Sequence, residues 1–183
     1  MTEMVEVVID SIRVSLMSQQ RIVILREVDD DRYLPIWIGT PEADSITIAL
    51  QEVEVSRPLT HDLVKNIFTS LNAQVLRVEV IALRDDTFYG NIVVELDGRT
   101  VNIDSRPSDA LAVAVRTHVP IMVTRSVMDT AGIIPEEDMQ EEGEEIFDAP
   151  EAGSERLSVF EDFLENLETD PDDEDNDGGE DAD

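Results

Sequence analysis

The side chains best suited to chemistry lie in three short stretches of the sequence. The chain has no cysteine, so its reactive groups are carboxylates, hydroxyls and the imidazoles of His61 and His118. His61 stands beside an acid and is the best candidate for a general base. His118 lies at an expected helix end, where a cation is favoured, and is predicted to be structural. The candidate residues of the three stretches are Glu42 and Asp44; Arg57, Thr60, His61 and Asp62; and Arg106, Ser108 and Asp109.

Each stretch coincides with a predicted helix start. A helix N-terminus presents free N–H groups, and together with Arg57 or Arg106 it could hold a phosphate, with Thr60 and Ser108 as further donors. Acids beside them, namely Glu42, Asp44 and Asp109, could hold Mg²⁺ or Mn²⁺.

Structural roles explain the same residues. An acid in the first turn of a helix stabilises that helix by capping or through the macrodipole, which would account for Glu42, Asp62 and Asp109 without any chemistry. Arg57 and Arg106 each precede a proline and could pair with Asp44 or Asp109 to hold the turns. His61 could equally hydrogen-bond a loop carbonyl. Both interpretations stay open at this point.

The elements that must position these residues follow from the hydrophobic pattern. Alternating or continuous apolar runs predict strands, and apolar residues at helical spacing predict helices, each opened by a hydroxyl cap, a first-turn proline or a first-turn acid. Strands are expected near 5–9, 21–27, 33–38, 75–83, 87–96, 100–103 and 119–123, and helices from Thr40 to about Val53, from Thr60, from Ser105 and over 124–130. Trp37 lies on the third strand, where a place in the core or in an oligomer interface is favoured over base stacking.

The two halves of this pattern repeat at an offset of 65 residues. The offset pairs Ile36 with Val101 and Asp44 with Asp109, and it extends along the helix that follows each of them. The simplest account is a duplicated strand-strand-strand-helix unit, hence an α+β fold with mixed or antiparallel sheets and helices packed on them. If the halves are related by a pseudo-twofold axis, their helix starts could face a shared cleft.

Charge divides the chain into a domain, residues 1–131, and a tail, residues 132–183. The domain has 12 Lys and Arg against 20 Asp and Glu, a formal charge of −8, and the tail has 1 against 23, a charge of −22. Such a tail is expected to be mostly disordered, with a short amphipathic helix at 155–168 that could dock on its own domain or on a partner. The sequence shows neither a signal peptide nor a long apolar run, which indicates a cytoplasmic protein without a membrane partner.

Four motifs in this order give the sequence its resemblance to a known family. LPIWIGTPEADSI (34–46), RPLTHDL (57–63), DTFYGNIVVE (86–95) and DSRPSDALAVAVR (104–116) are similar to the motifs of the bifunctional nuclease family. The resemblance covers nearly all of residues 4–131. Gly90 stands where relatives often have alanine, a departure not expected to affect chemistry.

The resemblance implies a nuclease that cleaves DNA or RNA with help from a divalent metal, Mg²⁺ or Mn²⁺, and that forms a homo-oligomer. In that interpretation His61, Asp62, Asp109 and Glu42 are catalytic, Arg57, Arg106, Thr60 and Ser108 bind substrate, and Asp44, Asp109 and Glu42 hold the metal. The net charge argues against it, because nucleic-acid binders normally present a basic surface. The alternative is a non-catalytic oligomeric scaffold or regulatory module that binds a protein partner or an anionic ligand.

Overall fold

Seven strands and four helices build the part of the chain that the computed structural model describes, residues 3–15 and 20–134. The strands are β1 (Met4–Val14), β2 (Arg21–Glu27), β3 (Tyr33–Ile38), β4 (Gln74–Arg84), β5 (Thr87–Leu96), β6 (Arg99–Ser105) and β7 (Ile121–Thr124). The helices are α1 (Thr40–Leu50), α2 (Thr60–Ser70), α3 (Pro107–Thr117) and α4 (Arg125–Ala131).

All seven strands join in one mixed sheet of order β3-β2-β1-β7-β4-β5-β6. Strands β1 to β3 form one antiparallel meander and β4 to β6 form another. Strand β7 lies between the two meanders, antiparallel to β1 and parallel to β4. Because β1 and β4 therefore run in opposite directions, the meanders are arranged as a pseudo-twofold pair. The α+β fold with duplicated strand-strand-strand-helix units is confirmed, and β7 merges what the sequence suggested as sheets into a single sheet.

Helix α3 is the central helix of the fold. It packs against α1, α2, β4 and β5, and its residues 110–114 are all buried. These residues of α3 pack against buried side chains of the strands, α1 and α4 in one hydrophobic core. The largest fully buried side chains of this core are Leu25, Leu34, Ile46, Leu111 and Met128. Full burial of one such side chain contributes roughly 1.5–3 kcal/mol. The starts of α1, α2 and α3 are thus fixed by the core beneath them.

Several ends differ from the sequence-based expectation, and the largest difference is that β1 ends at Val14 rather than near residue 9. Helix α1 ends at Leu50 rather than near Val53, because Glu52 adopts a positive φ of 51° that a right-handed helix cannot continue. Pairing with β3 continues past residue 131, since Ile133 and Tyr33 exchange two backbone hydrogen bonds of 2.8 Å. The predicted tail helix at 155–168 and the docking of the tail lie outside the described residues. None of the four described helices has the length and apolar character needed to cross a membrane.

Candidate functional site

The N-termini of α1, α2 and α3 meet in one continuous hydrogen-bonded cluster. In order along the network its members are Glu42, Arg106, Asp109, His61, Ser45, Arg116 and Asp62. The three carboxylates and two guanidinium groups give the cluster a formal charge of −1 when the imidazole is neutral. The shared cleft expected from the repeat therefore has a physical counterpart, with α3 between the other two helices.

Arg106 joins the carboxylates of Glu42 and Asp109. Its Nη2 donates to Glu42 Oε1 at 2.7 Å and to Asp109 Oδ1 at 3.1 Å, and its Nε donates to Asp109 Oδ2 at 2.8 Å. Its side chain is nevertheless 65% exposed. Within the described part of the chain its Nη1 makes no hydrogen bond, so two N–H groups face outward. This free edge of the guanidinium is suited to a phosphate oxygen.

His61 is buried and bonded through both ring nitrogens. Nε2 lies 3.1 Å from Asp109 Oδ1, and Nδ1 lies 2.8 Å from Ser45 Oγ. A carboxylate only accepts hydrogen bonds, so Nε2 carries the proton, and in a neutral ring Nδ1 accepts from the Ser45 hydroxyl. His61 thereby fixes the orientation of the Asp109 carboxylate. The arrangement resembles a Ser-His-Asp chain, but the serine is buried and already accepts from Arg116, so it is not placed as a nucleophile.

Arg116 closes the buried end of the cluster. Its Nε donates to Asp62 Oδ1 at 2.6 Å, its Nη2 donates to the carbonyl and hydroxyl oxygens of Ser45 at 3.1 and 3.0 Å, and its Nη1 donates to Ala112 O at 2.9 Å. The other oxygen of Asp62 accepts from the backbone N–H of Leu59 at 2.8 Å, which caps α2. Both oxygens of Asp62 are therefore engaged in contacts that hold α2 against α3.

These contacts shift the acid–base properties of the cluster. Burial alone would raise the pKa of Asp109, but hydrogen bonds and charge from Arg106 and His61 outweigh it and hold the pKa below its ordinary value. For Asp62, burial is likewise outweighed by the Leu59 N–H and by Arg116, so its pKa is also lowered. The hydrogen bonds to Asp109 and Glu42 raise the already high pKa of Arg106. Arg106, Asp109 and Asp62 are consequently all charged at neutral pH.

A cleft of about 250 Å³ opens beside Arg106. Its wall is formed by the end of β3, the start of β5 and the first turn of α3, and includes Trp37, Phe88, Arg106 and Ser108. Trp37 is 57% exposed, so its expected place in the core is wrong, whereas its place in an oligomer interface stays a prediction. Ser108 is buried at the N-terminus of α3. The cleft gives a ligand access to the outward edge of the cluster.

Gly90 allows β5 to approach the start of α3 closely. A Cβ atom at this position would lie 3.1 Å from the carbonyl oxygen of Ser105 and 3.2 Å from Cα of Pro107. Any larger residue must push the turn that carries Arg106 by a few tenths of an ångström.

Four of the predicted residues stand outside the cluster, and one of them, Ser108, lines the cleft beside Arg106. Asp44, Arg57 and Thr60 are exposed, and none of them forms a hydrogen bond or an ion pair with the side chains of residues 3–15 and 20–134. The pairing suggested for Arg106 with Asp109 is present, but the one suggested for Arg57 is not found in this range. The offset of 65 made Asp44 and Asp109 equivalent, yet only Asp109 faces another helix start.

The arrangement does not fit the metal set drawn from the sequence. Glu42 and Asp109 both direct their oxygens to Arg106, and Asp44 is not joined to them. Across the described residues no group of three or more His, Asp or Glu side chains is arranged to hold a metal ion. The divalent metal stays a prediction, and no step below depends on it.

Sequence reasoning missed Ser45 and Arg116. Both occur inside the quoted motifs, and their spacing held a usable signal: Ser45 is three residues after Glu42, and Arg116 is seven residues after Asp109. Such spacings place each pair on one face of its helix. A polar residue on an otherwise apolar helix face predicts a buried partner, and here the two helices supply each other's partner.

Comparison with known proteins identifies the family to which this fold and cluster belong. The family model described as the bifunctional nuclease domain matches residues 23–136. An uncharacterized protein of Mycobacterium tuberculosis is 36% identical over 165 residues, which is 90% of this chain and 96% of that protein. The chain belongs to the bifunctional nuclease domain family.

Plant members of the family are more distant. Bifunctional nuclease 1 of Oryza sativa subsp. indica is 28% identical over 115 residues, which is 61% of this chain and 35% of the plant protein. Bifunctional nuclease 1 of Arabidopsis thaliana is 26% identical over 103 residues, or 55% of this chain and 32% of that protein. This chain therefore matches only about a third of each plant nuclease.

Proposed function

We propose that this protein hydrolyses phosphodiester bonds of DNA or RNA at the outward edge of the cluster formed by Glu42, Arg106, Asp109 and His61. The observation that carries the proposal is the exposed guanidinium of Arg106, which keeps two free donors at the mouth of a cleft while two carboxylates fix its position. A donor held in advance costs little reorganisation when charge develops on a phosphate. The names of the plant relatives, bifunctional nucleases, support the same chemistry.

Each member of the outward edge has a proposed role. Arg106 binds the phosphate through Nη1 and stabilises the charge that develops on it. Asp109, ionised and partly exposed, accepts the proton of the attacking water at Oδ2, which accepts one hydrogen bond from Arg106 and keeps a second lone pair. The leaving oxygen takes its proton from solvent. Glu42 holds Arg106, and His61 holds Asp109. His61 was the predicted general base, but both of its nitrogens are engaged, which favours a positioning role.

The other predicted residues are proposed to act away from the reacting atoms. Three residues are proposed to contact substrate beyond the scissile phosphate: Ser108 at the cleft wall, Thr60 at the start of α2, and Arg57 in the loop before α2. Asp62 is proposed to act structurally, through Leu59 and Arg116. The homo-oligomer and the cytoplasmic location remain expectations from the sequence.

Negative charge limits the affinity that this site can reach. The cluster has a formal charge of −1, and Arg106 is its only guanidinium exposed to the cleft. The logarithm of the binding constant falls linearly with the logarithm of the salt concentration, and each phosphate contact made by a cation makes this slope more negative by roughly 0.7–0.9. We therefore expect a slope near about −1 for a short oligonucleotide, far shallower than for a protein with a basic groove.

The test measures cleavage of DNA and RNA by the purified full-length chain and by matched variants. Asp109→Asn should lower kcat by about 10²–10⁴-fold and Arg106→Ala by about 10²–10³-fold. Two exposed residues of β6 outside the cluster supply controls, and Arg99→Ala and Asp104→Asn should retain native rates. Activity that survives both cluster variants would refute the proposal.

His61→Gln separates the two roles of the histidine. Glutamine can still donate to Asp109, so a positioning role predicts partial activity with an unchanged pH profile, whereas a general-base role predicts complete loss. If Asp109 is the general base, its lowered pKa keeps it ionised, so the cleavage rate of the native protein should stay constant down to about pH 5. A decline between about pH 5 and 8 would instead indicate an imidazole. Assays with EDTA, Mg²⁺ and Mn²⁺ test the metal prediction separately.

The internal pairing of the cluster favours a second function, that of a non-catalytic module. All three carboxylates already accept hydrogen bonds from a guanidinium group, as expected of a network that only holds helices together. This function predicts no cleavage of DNA or RNA under any metal condition. It would also predict that Asp109→Asn changes thermal stability and leaves partner or anion binding intact.

A further inference from the structure

We propose that the cleft beside Arg106 binds one unpaired nucleobase, stacked on Trp37, so that the substrate class is single-stranded nucleic acid. This inference rests on the proposed phosphodiester chemistry at Arg106, because the base and the phosphate must belong to the same nucleotide strand.

The first observation is the exposure of a large aromatic side chain on an edge strand. Trp37 lies near the end of β3, the outermost strand of its meander, opposite Ile22 of β2. More than half of its surface faces solvent, although it is the largest apolar side chain in the sequence. Aromatic faces of this kind are the platforms on which proteins stack the bases of single strands.

The second observation is what surrounds Trp37. Phe88, Ile38 and Pro107 add apolar walls, whereas Arg106 and Ser108 add polar groups on one side of the cleft. A nucleobase has the same division, with flat apolar faces and polar edges. The cleft also contains Asp86, whose carboxylate can accept a hydrogen bond from a base amino group but would repel a phosphate. The charges therefore favour a base inside the cleft and the phosphate outside it, at Arg106 Nη1.

The size of the cleft suits a single base. About 250 Å³ is enough to hold one planar ring system. Bases in a duplex are stacked on their neighbours, and their faces become available to a protein only after unpairing. Single-stranded DNA or RNA presents such faces without that cost.

The sequence provides a specific reporter, because Trp37 is the only tryptophan of the chain. The full-length protein would be titrated with a phosphorothioate dT8, with a blunt-ended duplex of two annealed strands and with an abasic oligomer, while tryptophan emission is recorded. Affinities of Trp37→Ala and Trp37→Phe would be measured by anisotropy of labelled dT8. Tyr89→Ala is the matched control, since Tyr89 is an exposed aromatic residue that lies against Arg84 outside the cleft.

The proposal predicts quenching by dT8 but not by the duplex or the abasic oligomer. Trp37→Ala should raise the Kd for dT8 by about 5- to 150-fold, Trp37→Phe should raise it less, and Tyr89→Ala should leave it within about twofold. In the cleavage assay, Trp37→Ala should raise KM and change kcat little.

Two results would overturn it. Cleavage with native KM in Trp37→Ala would reject the base site while leaving the proposed nuclease intact. The second result has three parts: tryptophan emission of the native protein changes on dilution, it does not respond to dT8, and Trp37→Ala dissociates an oligomer. Together these observations would assign the cleft to a second copy of the chain. Conversely, base-dependent quenching by a protein that cleaves nothing would retain the base site and reject the nuclease.

Discussion

Replacement of Arg116 by alanine tests whether the buried half of the cluster stabilises the fold. Arg116 has only 5% of its side chain exposed, and three of its four hydrogen bonds tie α3 to α1 and α2. In Arg116→Ala, the carbonyl and hydroxyl oxygens of Ser45 lose one donor in a buried place, and Asp62 loses its ion pair. We expect the two helix starts to loosen relative to α3.

The magnitude follows from the partners that are left behind. Removal of one member of a buried ion pair costs about 3–5 kcal/mol. Asp62 keeps its bond from Leu59 and is 28% exposed, which reduces its share. The Ser45 oxygens also keep partners, because the hydroxyl still bonds His61 and the carbonyl still accepts a backbone bond of α1, so the loss of their bonds to Arg116 adds only about 0.5–1.5 kcal/mol. A total of about 3–5 kcal/mol is a large part of the 5–15 kcal/mol that usually stabilises a domain.

Urea unfolding of the full-length chain, followed by circular dichroism, measures this loss. Arg32→Ala is the control, because Arg32 pairs with Asp129 at 2.7 Å but the two side chains are 30% and 55% exposed. Exposed pairs contribute at most about 1 kcal/mol. If both variants lost the same free energy of unfolding, below about 1 kcal/mol, the assigned role of burial would be refuted.

Two further predictions concern acid and the turn before α3. Because the pKa values of Asp62 and Asp109 are lowered, the stabilisation that these carboxylates give is complete above the unfolded pKa of 3.8 and is lost as the pH falls through the folded pKa values. The urea midpoint should therefore be constant above about pH 5 and fall below it, and it should fall less steeply in Asp109→Asn. An equal slope in that variant would contradict the role assigned to Asp109. Gly90→Ala should change the free energy of unfolding by less than about 1 kcal/mol. It should lower kcat by less than about 10-fold, because the added Cβ atom displaces the turn that carries Arg106 only slightly. A native kcat would mean that the turn absorbs the displacement.

Much of the fold was predictable because its signals are local. The bounds of β2, β3 and β5, and the starts of α1 and α2, agree with the hydrophobic period and with the helix-start residues. The end of α1 was wrong by about three residues, since no glycine or proline marks the positive φ at Glu52. The insertion of β7 between β1 and β4 depends on long-range pairing, which no local pattern encodes.

The site was predictable only in part, because the repeat describes the fold and not the contacts. The motifs located the three helix starts, and the structure brings Glu42, His61 and Asp109 together there. The outward donors of Arg106 and the exposure of Trp37 depend on side-chain packing, which periodicity does not describe. The apolar run around Trp37 predicted burial, but successive side chains of a strand face opposite sides of the sheet, and Trp37 lies on the side opposite the buried Leu34 and Ile36.

The inserted helix α2 explains why two similar halves form one asymmetric site. Each half has two helices after its meander, but α2 of the first half packs against α3 of the other half, whereas α4 of the second half packs against β3, β4 and β7. It thereby brings His61 to Asp109, whereas Asp44, the counterpart of Asp109 in the repeat, receives no such partner among the described residues. A histidine added near Asp44 would not recreate the site, because the element that supports His61 is absent there. Asp109, which is bonded to both His61 and Arg106, is therefore the acid on which the proposed chemistry depends.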